Sequence, residues 1–285
     1  MVDLDSLPSL RDVADRHGLR ARRSLGQNFL FDENLLDRIA RSAGDLSGAT
    51  VLEIGPGPGG LTRALLRAGA ENVIALEKDR RGMDALRSLV TVADGRLTVI
   101  EGDAMKQDLA TIAPGRLIVV GNLPFNIATE LLMRLAEGSD QIDRMVLMFQ
   151  KEVADRILAP PGASGFGRLS VITQWLCDVR RLFDIPAQAF VPPPKVQSTV
   201  IQLTPRQEPL APAEFKDVEA ITAAAFGQRR KMLRSALRSL DVDALPLLEA
   251  AGIRPDLRAE TLSVEEFCAL ARALKAARAA KAISL

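Results

Sequence analysis

Histidine is nearly missing from this 285-residue chain: His17 is the single one, in a polar N-terminal stretch. A mechanism built on a histidine base, or a metal held by several imidazoles, has almost nothing to draw on. Cysteine is as scarce. Cys177 and Cys268 stand far apart without Cys or His neighbours, so two buried free thiols are expected rather than a zinc site or a disulfide framework. No apolar run approaches bilayer length. Met1 to Asp15 carries Asp3, Asp5, Asp12 and Asp15 in place of an apolar signal core, which predicts a cytoplasmic protein with no membrane partner.

Charge of one sign is also lacking, since 37 Lys and Arg against 36 Asp and Glu leave a net charge of +1. Composition alone therefore does not announce nucleic acid. The distribution says more. Arg20, Arg22 and Arg23 cluster before Gly26, and Arg229, Arg230, Lys231, Arg234 and Arg238 follow one another with no acid until Asp241. Local basic patches in a neutral protein suit a phosphate backbone gripped at chosen places; each patch alone suits a solvated face equally well.

A chain of this length holds one large domain, or a large one with a small appendage. Short β-branched runs at Val51–Ile54, Val73–Glu77, Leu97–Glu101, Leu117–Gly121 and Met145–Phe149 alternate with helical patterns near Leu61–Ala68, Arg80–Val92 and Ile127–Ala136. That alternation predicts an α/β fold with a parallel sheet. Two later strands, Arg180–Ile185 and Ser198–Leu203, flank a proline-rich loop and fit an antiparallel pair at the sheet edge. Thr204 to Pro212 reads as a linker, and beyond it helices are expected near Glu214–Phe226, Arg229–Leu240, Leu245–Ala250 and Val264–Ala279. The expected domains are 1–205 and 206–285. On a helical wheel begun at Arg230, Met232, Leu233, Ala236, Leu237 and Leu240 separate from Arg230, Lys231, Arg234 and Arg238, leaving a basic face for a partner.

The first strand runs into Glu53-Ile54-Gly55-Pro56-Gly57-Pro58-Gly59-Gly60, whose glycines allow a sharp turn and close approach of a ligand. The spacing of Gly55, Gly57 and Gly60 matches a dinucleotide fingerprint, a weak signal by itself. Glu53 is placed to orient the loop or to face a cationic ligand. Glu77 ends the second strand, where it can accept from two ribose hydroxyls or pair with Lys78 or Arg80. Asp103 ends the third, where it can accept from an adenine amino group or cap a helix. Each local alternative is plausible alone. Together, a series of polar strand ends along one edge fits an adenosyl ligand with a reactive tail.

After the run Leu117-Ile118-Val119-Val120-Gly121 comes Asn122-Leu123-Pro124-Phe125. The exocyclic amine of adenine is a poor nucleophile because its lone pair is delocalised into the ring. Two acceptors on its hydrogens, the Asn122 side-chain oxygen and the Leu123 carbonyl, favour the pyramidal form and free that pair. Pro124 stiffens the turn, and Phe125 is suited to stacking on a base taken out of its duplex. The competing reading makes Asn122 the cap of a helix that begins near Ile127.

With these residues in view, the chain resembles the ribosomal RNA adenine dimethyltransferase family over nearly its whole length. Gly26-Gln27-Asn28-Phe29-Leu30 resembles its cofactor lid motif, Glu53 to Gly59 its S-adenosylmethionine loop, and Asn122 to Phe125 its catalytic motif. Phe190-Val191-Pro192-Pro193-Pro194-Lys195-Val196 resembles its target-base loop. The resemblance implies a Rossmann-like class I methyltransferase sheet, mostly parallel with an antiparallel edge, and a small all-helical C-terminal domain. It implies S-adenosylmethionine, and no metal, bound by Asn28, Leu30, Gly55, Gly57, Glu77, Lys78, Asp103, Ala104 and Asn122. Asn122, Leu123, Pro124 and Phe125 would hold the target adenine, with Phe190 assisting. Phe226 to Leu233 and Gly165 to Ser170 resemble the bacterial small-subunit branch, linked to kasugamycin sensitivity, which dimethylates two adjacent adenosines in a hairpin near the 3′ end of 16S ribosomal RNA. A monomer acting on the 30S subunit is implied, with Arg22, Arg23, Arg230, Lys231, Arg234 and Arg238 as phosphate contacts. Phe125 departs from the tyrosine of many members, at the cost of one hydroxyl contact.

Three rivals account for less. An NAD-dependent oxidoreductase leaves Asn122 to Phe125 idle. A non-catalytic assembly factor leaves the intact cofactor residues unexplained. A 23S-directed methyltransferase resembles the C-terminal half less.

Overall fold

The computed structural model describes residues 4, 6–19, 27–112, 115–124 and 127–283. Strands are numbered in chain order: β1 (Phe29–Leu30), β2 (Thr50–Ile54), β3 (Asn72–Glu77), β4 (Leu97–Glu101), β5 (Leu117–Asn122), β6 (Ile142–Gln150), β7 (Cys177–Ile185), β8 (Phe190–Val191) and β9 (Ser198–Pro205). Seven of them form one sheet in the order β4-β3-β2-β5-β6-β9-β7. The pairings from β4 through β6 are parallel, and β9 runs antiparallel to β6. The expected mixed, mostly parallel sheet is thus observed.

Its central strands are unbroken apolar runs because both of their faces are covered: Val51, Leu52, Ile118, Val119 and Val120 are fully buried. From β2 the chain builds outward through β3 and β4, then returns to place β5 on the other side of β2. Strand order reverses there, and a parallel sheet opens a crevice at the carboxyl ends of its strands at such a point.

Two helices in the first part of the chain lie outside the sequence expectation, Leu10–Arg16 and Glu33–Ser42. Each has an N-cap that the sequence carries openly: Ser9 accepts from the Asp12 amide, and Asp32 from the Leu35 amide. Leu10 and Leu36 join the core with Leu61 and Leu65. The buried Arg63 donates to the Pro8 carbonyl at 2.8 Å, tying the N-terminal segment to the helix Gly60–Arg67.

The chain divides into two compact units, Met1–Ala154 with Arg180–Pro205, and Asp155–Val179 with Arg206–Leu285. A division into 1–205 and 206–285 therefore misassigns Asp155–Val179. Aromatic packing is the reason. Trp175 stacks on Phe215 with ring centroids 6.4 Å apart, and Phe166 meets both Phe226 and Phe267. Those partners lie on the helices Phe215–Gly227 and Val264–Ile283.

The expected helix Arg229–Leu240 is also corrected. The preceding helix ends at Gly227, the Lys231 amide turns back to the Gln228 carbonyl, and Met232 is extended and bridges to Arg258. The α-helix covers only Leu233–Ala236, followed by a 3₁₀ turn over Leu237–Ser239. Leu233, Ala236 and Leu237 are buried as the wheel predicted, but Met232 is 41% exposed. Both cysteines are free and buried, and burial pushes each thiol up to about 12. Among the described residues no helix is long and apolar enough to cross a membrane.

Candidate active site

A cleft of about 330 Å³ lies at the carboxyl ends of β2 to β5, lined by Gly55, Glu77, Lys78, Asp103 and Ala104 among the residues expected there. The loop after β2 forms its floor. Gly55 and Gly57 have φ of +72° and +54°, a region costly for residues with a β-carbon. The ring of Phe29 lies so close to Gly57 that a β-carbon there would sit 2.9 Å from it. Space beside Gly55 is open, so its bare backbone is available to a ligand.

Glu77 is buried, yet its carboxylate takes three backbone amides: Gly57 at 3.0 Å, and Lys78 and Asp79 at 2.8 Å each. Burial raises its pKa and outweighs those amides. Glu77 thus clamps the glycine loop to the end of β3 while lining the cleft. Asp103 accepts from the Met105 amide and from the Lys78 ammonium at 2.7 Å. The Lys78 ammonium holds its carboxyl below the usual range, so Asp103 remains an acceptor at neutral pH.

Glu53 serves the loop from beneath rather than facing a ligand. It is 1% exposed and accepts from the Thr62 hydroxyl at 2.6 Å. Burial pushes its carboxyl up to about 8, with the nearby Glu77 adding to the shift.

Asn122 ends β5, and its Nδ2 donates to the Asn28 carbonyl at 3.1 Å. Its Oδ1 takes no hydrogen bond from a described residue. The capping alternative fails, since the next helix, Ala128–Glu137, has Ile127 as N-cap and no side-chain cap bond. The Pro124 carbonyl accepts from the Ile127 and Ala128 amides, which fixes the turn, and Pro124 and Ile127 both line the cleft. Leu123 is buried. Phe125 lies outside the described residues.

Of the residues expected at the cofactor, Asn28, Leu30, Gly57 and Asn122 do not line the cleft, and of those expected at the base, Phe190 lies in the core. Phe190 is 1% exposed in the core of the first unit, so its ring is not available to stack on a base. Leu30 is likewise in that core, paired with Phe190 in the small antiparallel sheet of β1 and β8, and does not line the cleft. Asn28 contributes its carbonyl. Sequence reasoning missed the apolar walls Leu76, Met105 and Ile127, while Gln27, which also lines the cleft, belongs to the motif that resembles the cofactor lid. Leu76 precedes Glu77, and Met105 follows Asp103 by two, so proximity to the strand ends was the available signal.

In the second unit Arg230, Lys231, Arg234 and Arg238 are all exposed, and among the described residues none is held in an ion pair. Arg229 differs, being paired with Glu260 at 3.0 Å and bonded to the Ser164 carbonyl. Arg22 and Arg23 lie outside the described residues.

The floor of open backbone, the two acidic strand ends and the apolar walls fit an adenosyl group, and comparison with known proteins agrees. The sequence profile described as ribosomal RNA adenine dimethylase matches residues 18–276. A protein of Rhodospirillum rubrum named ribosomal RNA small subunit methyltransferase A is 58% identical over 96% of this chain and 94% of its own. One of that name from Paramagnetospirillum magneticum is 58% identical over 95% and 96%. Among solved structures, a dimethyladenosine transferase from Plasmodium falciparum has a TM-score of 0.74 at 27% identity, covering 85% of this chain and 95% of that one. The 23S rRNA methyltransferase ErmE has a TM-score of 0.65 at 26% identity, covering 87% and 100%. The chain belongs to the ribosomal RNA adenine dimethylase family, S-adenosylmethionine-dependent enzymes that methylate adenine in ribosomal RNA.

Proposed function

We propose that this protein dimethylates N6 of two adjacent adenosines in a hairpin near the 3′ end of 16S ribosomal RNA, acting in the cytoplasm as a monomer on the small ribosomal subunit. The observation that carries the reading is the Asn122 amide, whose nitrogen is committed to the Asn28 carbonyl and whose oxygen is left to accept. The small-subunit relatives, similar over nearly their full length, support 16S over 23S RNA.

Glu77, Asp103, Lys78, Ala104, Gly55 and Gly57 would hold the cofactor. Bound there, S-adenosylmethionine supplies a methyl group on a sulfonium and leaves as a neutral thioether. The remaining work falls to the protein. Asn122 Oδ1 and the Leu123 carbonyl accept from the adenine amine and hold its lone pair toward the cofactor. Pro124 keeps these acceptors at a fixed spacing, and Phe125 stacks on the base plane. Catalysis then rests on orientation and on acceptors aimed at the charge that develops on nitrogen. The surplus proton on N6 passes to water, so no tuned side-chain base is needed. The unpaired cations Arg230, Lys231, Arg234 and Arg238 contact phosphates in the RNA-binding unit, together with Arg22 and Arg23.

The test is labelled-methyl transfer into under-methylated 30S subunits, with the product nucleoside identified by digestion and mass spectrometry. N6,N6-dimethyladenosine in 16S RNA, lost in Asn122→Ala, is expected. Label confined to 23S RNA would reassign the substrate, and no transfer despite cofactor binding would favour an assembly factor.

A further inference from the structure

The turn after β4 carries Asp103, Ala104 and Met105, all of which line the cleft. Its own main chain closes it, since the Lys106 and Gln107 amides both donate to the Asp103 carbonyl, at 2.8 and 3.1 Å. The Gln107 side chain packs back on the strand end, where a β-carbon on Gly102 would be 2.6 Å from its Nε2. A second element grips the turn from outside. Arg134, on the helix Ala128–Glu137, donates from one guanidinium nitrogen to the Met105 carbonyl and from the other to the Gln107 carbonyl, the latter at 2.7 Å. That helix is anchored in turn, because the Pro124 carbonyl takes the Ile127 and Ala128 amides.

We propose that Arg134 is a positioning residue that sets cofactor specificity, by fixing the Asp103 turn where the carboxylate meets an adenine amino group. This inference rests on the cofactor site proposed above. Asp103 has capacity for that bond. One of its oxygens takes the Met105 amide and the other the Lys78 ammonium, while a carboxylate offers about four lone-pair sites. An acceptor rejects a ligand lacking the matching donor only if it cannot retreat from that ligand. Hydrogen bonds within the turn fix its shape, and Arg134 fixes its place against a second element. A planar fork suits two carbonyls at once, which a lysine ammonium, as a point charge, serves less well.

The test is calorimetry on the full-length protein with S-adenosylhomocysteine and with S-inosylhomocysteine, in which a keto oxygen replaces the adenine amine. The native protein should prefer the adenosyl ligand by about tenfold or more, the scale of one hydrogen bond to a charged group. Asp103→Asn, which can still accept from the Met105 amide, should abolish that preference. Arg134→Met keeps an apolar stem but removes the fork, and should cut the preference to roughly threefold or less. Arg134→Lys should fall between, and carries the test if Arg134→Met does not fold. Hydrogen exchange at the Lys106 and Gln107 amides of the ligand-free protein should quicken in the same order. A merely structural role would weaken both ligands equally and leave their ratio unchanged. An unchanged ratio in the Arg134 variants, with the preference lost in Asp103→Asn, overturns the role of Arg134 and leaves the adenine site standing. No preference in the native protein, or one that Asp103→Asn leaves untouched, overturns both.

Discussion

Asn122 and Asn28, 94 positions apart in the chain, are joined by a hydrogen bond of 3.1 Å from a side-chain nitrogen to a backbone carbonyl. Its direction decides the chemistry. With Nδ2 committed, the amide presents Oδ1, an acceptor at the end of β5 beside the cleft. In the proposed reaction an exocyclic amine requires an acceptor there, and an amide turned the other way would repel it.

Asn122→Ala should lower the rate of methyl transfer by about two orders of magnitude, the scale found when one preorganised hydrogen-bonding group is removed from an active site. Binding of S-adenosylhomocysteine, followed by calorimetry, should weaken far less. Asn122→Asp keeps the acceptor but sets a carboxylate against the Asn28 carbonyl, so it should not rescue the rate. A normal turnover number in Asn122→Ala would sink the assignment.

Glu53 makes stability depend on pH in a direction opposite to that of a salt-bridged carboxylate. Its folded pKa of about 8 stands above the ordinary carboxyl value of 4.5, so the folded state holds a proton that the unfolded chain has lost. Stability from this group is fully present below about 4.5 and is lost as pH rises toward 8, at up to about 1.4 kcal/mol per pH unit. Glu77, also raised, adds to the same slope. In Glu53→Gln, whose amide oxygen can still accept from Thr62, denaturant melts between pH 5.5 and 8 should show a flatter decline. Equal slopes in the two proteins would mean that Glu53 is ionised in the fold.

The sheet was legible because its strands are apolar runs spaced by helical patterns, and Gly55, Glu77 and Asp103 were legible because they close those runs. Membership of a unit was not. Nothing local to Arg168–Leu176 says which core its buried face joins; that is settled by Trp175 meeting Phe215, 40 positions on in the sequence. The pair β1 and β8 was invisible for another reason, since strands of two residues carry no period. The wheel begun at Arg230 found the buried Leu233 and Leu237 but was blind to the turn after Gly227. Periodicity reports which residues face the core, and it does not report where a helix starts.

Phe190 should act on stability before it acts on chemistry. A phenylalanine with 1% exposure, packed in the core beside Leu30, loses about 3–5 kcal/mol when cut to alanine. Denaturant unfolding of Phe190→Ala should show that loss, and Phe190→Leu should recover most of it along with most of the methyl transfer. If Phe190→Leu is as stable as the native protein but has lost transfer by a hundredfold, the ring reaches the base after all, and core packing is the wrong account of it.

The unpaired cations should show themselves in the salt dependence of binding. Arg230, Lys231, Arg234 and Arg238 are exposed and in no salt bridge among the described residues, although Arg234 feels the charge of Asp256, so the other three can neutralise a phosphate without first giving up a charge partner. Replacing one phosphate contact reduces the slope of log K against log salt by roughly one unit. Changing all four to glutamine should therefore flatten the slope for 30S subunits several-fold more than changing Arg229, whose guanidinium is held by Glu260. Affinity for S-adenosylhomocysteine should stay as it was, because these residues belong to the second unit and the cleft to the first. At saturating 30S concentration the turnover number should also recover, separating a grip on RNA from a part in the chemistry. A slope unchanged by the fourfold replacement would move the RNA path off this segment and onto Arg22, Arg23 and the loop beyond β8.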